Sequence, residues 1–474
     1  MSAGTETHST QPRSTQTRGK QTRTTQIFCA STLYGAATLA AALDAGLFEP
    51  ADRRLLLITN NAANPEITPG VDAMSGFDRV SGRFDEVLSW NETIAPFHPS
   101  GWGPRADDVP LWERHLRLLW NLGDDNIQLA VESVQVNPAL ALCQLFTGAP
   151  VDVYADGLIS YGPTRDKIDA LVGTRVGRLL HLDLVPGLTP LLLTEFGVPA
   201  ELVPSEAFLK VLGELAEAGD ETVTWESLPK RQPALLLGQY LSALGILTPH
   251  EEEELHLRMV RGAVKAGHLS LVFKPHPTAP TAWSRSLETE AKKLGAELTV
   301  LDRPVLAEVI FQRLRPALVV GCFSTGLFTA AGLYGIPVAR VGTDTVLEKI
   351  TPYQNSNRVP LTIVDLLLPD LADAKAVKKW SMPSDKQVGM NLAGLVKAIG
   401  FCMQPRIYPR LRPEAENYLS KHLTEQTWRY FKRRRLTSLA LPGALPSQLS
   451  FIPRNATVRR IARRARALSR TVKR

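Results

Sequence analysis

The sequence predicts an α/β protein built as two Rossmann-like domains that face a cleft. Three observations predict it. Short apolar, β-rich runs alternate with helical periodicity along most of the chain, the pattern of parallel sheets covered by helices. The chain has 474 residues, more than one ordinary core accommodates. A polar, charged stretch around residues 216–232, with Pro229 in it and Pro233 at its end, separates an earlier series of strands from a later one.

The first series opens with a strand at residues 26–30. Ser31-Thr32 then caps a helix that runs to about Leu43. Residues 55–59 form a second strand, ending in Asn60-Asn61, and 84–88 a third. Residues 127–136 read as a longer extended stretch. Asn137-Pro138 starts a helix to about Phe146, with Pro at its first position. Residues 151–154 are the next strand, ending in Ala155-Asp156-Gly157. In the second series, strands at 234–237, 269–273, 297–301, 317–320 and 336–341 alternate with helical patterns, notably 251–265 and 283–294. In open sheets of this kind the ligand lies beyond the carboxyl ends of the strands.

Composition narrows the class. Hydrophobic residues make up 44%, normal for a globular protein. Cys29, Cys143, Cys322 and Cys402 are scattered, with no CxxC pair, which argues against a zinc site or a disulfide framework and fits a reducing cytoplasm. The net charge of +7 hides an asymmetry: residues 421–474 hold 15 Lys/Arg and one acid, leaving 39 basic and 46 acidic residues elsewhere. A uniformly basic, nucleic-acid-binding body is therefore not expected. Residues 1–25 are rich in Thr, Ser, Gln and Arg, lack an apolar h-region, and read as a disordered tail rather than a secretory signal. No segment has the length of a membrane span.

Four motifs fall at strand ends. In Lys274-Pro275-His276-Pro277 both Lys274 and His276 precede prolines, so a stiff, extended backbone presents the imidazole. Such a His can contact a phosphate and protonate a leaving group, and Lys274 is a candidate phosphate contact. Ser324-Thr325, bracketed by Gly321 and Gly326 before an apolar helix, offers hydroxyls and a positive dipole end to an anion. Asp156-Gly157 offers a general base, although Asp-Gly alone is a turn signal. Gly238-Gln239 follows the first strand of the second series, where a Gly admits a nucleotide close to the backbone. Ser31, Thr32 and Asn60 sit at the first strand ends and are expected to line the same cleft. There is no Walker A, GxGxxG, HExxH or DxD motif; Asp107-Asp108 and Asp124-Asp125 lie in polar loops. A metal-independent reaction without a cofactor is expected.

In this order, Asp156-Gly157, His276-Pro277 and Ser324-Thr325 resemble the acidic-acidic-Gly, HP and Ser-Ser/Thr motifs of the bacterial alpha-2,8-polysialyltransferase family and related bacterial sialyltransferases. The likeness spans roughly residues 26–400. One position departs: the first acid of the acidic motif is Ala155 here. The resemblance implies a GT-B-type fold, CMP-sialic acid as donor substrate, and inversion at the anomeric carbon. It implies Asp156 as general base, His276 beside the CMP phosphate as leaving-group helper, and Pro277, Ser324 and Thr325 at that phosphate. It divides the chain into a tail (1–25), an acceptor domain (26–228), a nucleotide-sugar domain (229–405), a helix (406–429) and a basic tail (430–474).

In that tail Val458, Ile461, Ala465, Leu468 and Val472 recur at helical spacing among arginines. A basic amphipathic helix suits peripheral attachment to an anionic membrane surface on its cytoplasmic side. The partners expected are a nucleotide-sugar donor and a glycan or glycolipid acceptor of capsule or cell-envelope synthesis. The alternatives are a GT-B enzyme using another nucleotide sugar, and a non-catalytic nucleotide- or glycan-binding relative.

Overall fold

A computed structural model describes residues 22–155, 157–218, 232–275 and 281–444. Seven strands, β1 (Thr24–Ala30), β2 (Arg53–Ile58), β3 (Glu86–Ser89), β4 (Asn126–Val131), β5 (Val151–Ala155), β6 (Val176–Leu182) and β7 (Ala200–Val203), form one sheet in the order β3-β2-β1-β4-β5-β6-β7. Five more, β8 (Ala234–Leu237), β9 (Ser270–Lys274), β10 (Glu297–Val300), β11 (Leu318–Gly321) and β12 (Val338–Arg340), form a second in the order β10-β9-β8-β11-β12. Every pairing is parallel. Two doubly wound halves of this kind are the GT-B-type α/β architecture expected from the sequence.

The apolar runs explain the sheets. Along β1, Phe28 and Ala30 enter one buried cluster, while Ile27 and Cys29 enter another on the opposite face. A strand covered on both faces has no solvent side to be polar on. The larger cluster is continuous from β1 through β8 and β11, so the halves share buried apolar contact. The helix Ser205–Glu217 carries much of that joint. It buries Phe208, Val211, Leu212, Leu215 and Ala216 and packs on the helix Ala307–Leu314 of the second half. Arg313 donates to the Ala216 carbonyl across the seam.

Several sequence expectations are corrected. Strands β6 and β7 and the helix Ser205–Glu217 were not anticipated. The extended stretch 127–136 ends as a strand at Val131, where the chain turns away from the sheet. Pro138 is the N-cap of the helix Ala139–Leu145, not its first residue. Asp125 is not a loop acid in water: it is buried and accepts a 2.6 Å hydrogen bond from Thr25 Oγ1. The expected boundary near residue 228 lies outside the described residues. The first part of the basic tail is packed, not free. Tyr430, Phe431, Leu436 and Leu441 are buried, Tyr430 donates to Asp365 Oδ2 at 2.8 Å, and Arg435 donates to the Cys402 carbonyl at 2.6 Å. Residues 445–474, with the apolar stripe at 458–472, lie outside the described residues, as does the tail 1–21.

Candidate functional site

Both sheets have a switch point, where successive strands change direction of travel across the sheet. In the first it lies between β1 and β4, in the second between β8 and β11. Ligands of open parallel sheets settle at such crevices. The sequence motifs occupy both.

At the second switch point the exits of β8 and β11 are tied together. Phe323 N donates to Gln239 Oε1 at 2.9 Å, so the Gln239 side chain fixes the loop that carries Ser324 and Thr325. Packing within the sheet also requires a glycine at 238. A Cβ there would lie 2.9 Å from Phe273 Cζ and 3.2 Å from the Lys274 carbonyl, so β9 occupies the space. Gly238 N in turn donates to Lys274 O at 2.9 Å. The loop after β8 is held from beneath by Glu252, a buried carboxylate that accepts from Leu241 N at 2.6 Å and Ser242 N at 2.8 Å.

Ser324 and Thr325 lead into the helix Gly326–Tyr334. Ser324 Oγ accepts from Gly326 N at 3.2 Å, which leaves its own proton to donate. Lys274, at the end of β9, donates weakly to the Arg303 carbonyl at 3.4 Å. Burial pushes its pKa down to about 8, while the nearby Glu308 and Asp302 carboxylates pull it back up. Glu308 is itself buried, which pushes its carboxyl upward, and it accepts a 2.7 Å hydrogen bond from Thr329 Oγ1. One buried carboxylate therefore faces both the Lys274 strand end and the helix behind Ser324-Thr325.

The motifs of the two halves meet. Leu158 N donates to Thr325 Oγ1 at 3.4 Å, and a Cβ on Gly157 would lie 2.9 Å from the same oxygen. Gly157 has φ −160°, which any residue adopts; what excludes a side chain is the close approach of Thr325. Ala155 packs with its side chain toward the apolar cluster on one sheet face. Asp156, His276 and Pro277 lie outside the described residues, so of the acidic-Gly and HP motifs only Gly157, Lys274 and their neighbours are placed.

The first switch point holds Ser31, at the exit of β1. Its Oγ donates to Glu132 Oε2 at 2.5 Å, one residue past β4. Tyr154 donates to the Cys29 carbonyl at 3.0 Å, which fastens the exit of β5 to that of β1. Thr32 is an N-cap, accepting from Gly35 N at 2.9 Å. Asn60 organises its own loop: its amide donates to Pro65 O at 3.2 Å and Thr68 O at 2.8 Å, and its Oδ1 accepts from Ala62 N. Neither is brought to the Gly157–Thr325 contact by any of these bonds. Glu132, Glu252 and Glu308 were missed from the sequence. For Glu132 and Glu308 the signal was a lone carboxylate inside an apolar neighbourhood, as in Ala130-Val131-Glu132 and Ala307-Glu308-Val309-Ile310; Glu252 lies in the run Glu251–Glu254 and gave none.

Beside this contact a cleft of 1730 Å³ opens between the halves. Ile159, Arg165 and Phe196 line one wall, Leu244, Gln354 and Asn355 another, and Gln404 and Arg406 close it. Arg165 donates across it to Ser356 Oγ at 3.1 Å. At its back Tyr408 OH accepts from Thr164 N at 2.9 Å and lies 2.7 Å from Glu195 Oε2, 2.8 Å from Thr164 Oγ1 and 3.1 Å from Leu191 O. Among the described residues no group of three or more His, Cys, Asp or Glu side chains could hold a metal ion. No described helix is long and apolar enough to cross a membrane.

The family model for alpha-2,8-polysialyltransferase (POLYST) matches residues 26–343. No curated protein matches the sequence significantly. Among solved structures, a sialyltransferase from Photobacterium damsela aligns at 12% identity over 74% of this chain and 80% of its own, with a TM-score of 0.37. UDP-GlcNAc 2-epimerase from Methanocaldococcus jannaschii aligns at 13% identity over 77% of this chain and 92% of its own (TM-score 0.43). The corresponding Neisseria meningitidis enzyme, bound to UDP-GlcNAc, aligns at 11% over 77% and 96% (TM-score 0.40).

Proposed function

The chain belongs to the alpha-2,8-polysialyltransferase family, and on that premise we propose an inverting, metal-independent transfer of sialic acid from CMP-sialic acid to a glycan or glycolipid hydroxyl. As a member of this family the protein is a glycosyltransferase. The acceptor oxygen bonds to the anomeric carbon from the face opposite the phosphate. The anomeric C–O bond to phosphate breaks, its electron pair leaves with CMP, and Asp156 takes the hydroxyl proton. A phosphate monoester departs once its developing charge is stabilised, and His276, Lys274, Ser324 and Thr325 are the groups for that.

The observation that carries this assignment is the approach of Gly157 and Leu158 to Thr325. It sets the motif assigned to the base against the motif assigned to the leaving phosphate, across the seam between the sheets. The 1730 Å³ cleft beside it is larger than a single small-ligand pocket and suits an extended acceptor. Residues 454–474 supply the basic, amphipathic pattern that would hold such an enzyme to the cytoplasmic face of an anionic membrane during capsule synthesis.

The test is a thermal-shift panel of nucleotides with His276→Ala alongside. CMP is expected to raise Tm where UDP and GDP do not, and His276→Ala to abolish transfer from CMP-sialic acid. Stabilisation by UDP or GDP in place of CMP sinks the donor assignment.

A further inference from the structure

Gln239 takes no part in the transfer described above, yet its side chain has two ends and only one of them is engaged. Val320 of β11 pairs with Leu236 of β8, and Phe323 and Gln239 each lie three residues further along, so the two loops leave the sheet level with one another. Phe323 N donates to Gln239 Oε1 at 2.9 Å. A backbone N–H can only donate, so it selects the oxygen and fixes which way round the amide sits. The Nε2 end, with its two N–H donors, has no hydrogen-bond partner among the described residues. Gln239 is half-buried, so these donors are held in a fixed place without being sealed in the core. Other donors share the edge. Ser324 Oγ accepts from Gly326 N at 3.2 Å and keeps its proton. Lys274 ends the adjoining strand β9, and its carbonyl accepts from Gly238 N at 2.9 Å. The buried carboxylates nearby are engaged, Glu252 by Leu241 N and Ser242 N, and Glu308 by Thr329 Oγ1.

An amide N–H pair, a hydroxyl proton and a lysine on one edge fit a ligand rich in acceptor oxygens. A hydrogen bond to an ionised acceptor is about twice as strong as one between neutral groups, so a phosphate gains most from them. We propose that the Gln239 amide nitrogen donates to the phosphate of the nucleotide sugar, while its oxygen holds the loop that carries Ser324 and Thr325. Gln239 is thus a donor-binding residue as well as a positioning one. This rests on the glycosyltransferase assignment above and adds a residue to its donor site.

The experiment titrates CMP, UDP and GDP into the full chain by calorimetry, for wild type, Gln239→Glu and Gln239→Leu, with denaturant unfolding of each. A Glu keeps an oxygen for Phe323 N but has no N–H donors and brings negative charge; a Leu has neither oxygen nor donors and stays neutral. Gln239→Glu is expected to unfold like wild type and to bind CMP more weakly by about tenfold or more. Gln239→Leu is expected to unfold at lower denaturant and to lose less CMP affinity than Gln239→Glu. In transfer assays the donor KM of Gln239→Glu rises, while its acceptor KM stays at the wild-type value. A purely structural role gives the reverse order, with Gln239→Glu binding CMP like wild type and Gln239→Leu impaired, and that result overturns the proposal. Loss of stability and of CMP binding together in both variants overturns it too. Failure of the donor assignment shows separately, as a wild type that takes UDP or GDP in place of CMP; the variants are then compared on that nucleotide, because the phosphate contact is common to all three. A wild type that binds none of the three overturns both.

Discussion

Gly157→Ala tests whether the two halves are in register at the site. The new Cβ would lie 2.9 Å from Thr325 Oγ1, against 3.4 Å for ordinary contact, so relief takes a movement of about 0.5 Å, an overpacking of roughly 1–3 kcal/mol. The backbone at φ −160° suits Ala, whose stiffer unfolded chain returns about 0.4–1 kcal/mol. The net expectation is a loss of about 1–2 kcal/mol, and a fall in kcat of about tenfold, since a misplacement of about 1 Å costs on the order of 10²-fold. Removing the opposing oxygen should reverse the stability effect. In Thr325→Ala the nearest remaining atom of that residue, its Cβ, is 4.0 Å away. Denaturant unfolding of both single variants and the double variant forms a cycle with a coupling of about 1–3 kcal/mol, within the usual range for residues in contact. Additive losses, or a Gly157→Ala that unfolds and turns over like wild type, would refute the contact.

Other outcomes follow from the same geometry. Lys274 is charged below about pH 8 and loses its proton as pH rises through that value, so CMP affinity should fall above pH 8 in wild type and stay flat in Lys274→Met. Its folded pKa lies below the unfolded value, so between about pH 8 and 10.5 only the unfolded chain keeps the proton; stability gains with rising pH there, and the variant lacks that gain. Tyr408→Phe removes a hydroxyl engaged with Thr164, Leu191 and Glu195, and a loss of about 1–3 kcal/mol in denaturant unfolding is expected. A chain ending at 429 discards the buried Tyr430, Phe431, Leu436 and Leu441 and should lose several degrees of Tm. A chain ending at 444 keeps them, and should lose vesicle binding if the basic block at 454–474 is the anchor.

Most strand positions could be read from the sequence because central parallel strands are continuous apolar runs. The strand at 234–237 was placed without error, and β1, β2, β5 and β11 within two residues at each end. Strand β6 escaped because it carries Arg178 and His181. Arg178 is satisfied by Asp152 at 2.8 Å and Glu201 at 3.0 Å, while His181 is buried with its pKa lowered by desolvation. The overlong strand at 127–136 had a cost at the first switch point. Val134 and Val136 extended the apolar pattern past the true end of β4, so Glu132 looked like a mid-strand residue rather than a strand-end one. For the site, motifs fixed by local chain direction were legible, as with Thr325 at a helix start. Their supports were not. Glu308 serves a threonine 21 residues away, and Tyr408 serves Thr164 at a separation of 244. No local pattern announces such partners.

Tyr408 also sets an order of events during synthesis. The first sheet is complete when β7 has been made, and the second when β12 has, yet the cleft between them still lacks a wall. Gln404, Arg406 and Ile407 come later, Tyr408 fastens that wall onto Thr164 and Glu195, and the segment through Leu441 packs behind it. A chain cut before this region lacks both that wall and the apolar residues from Leu392 to Leu441 that share the cluster of the two sheets. The groove acquires its full shape only once nearly all of the described chain has been made.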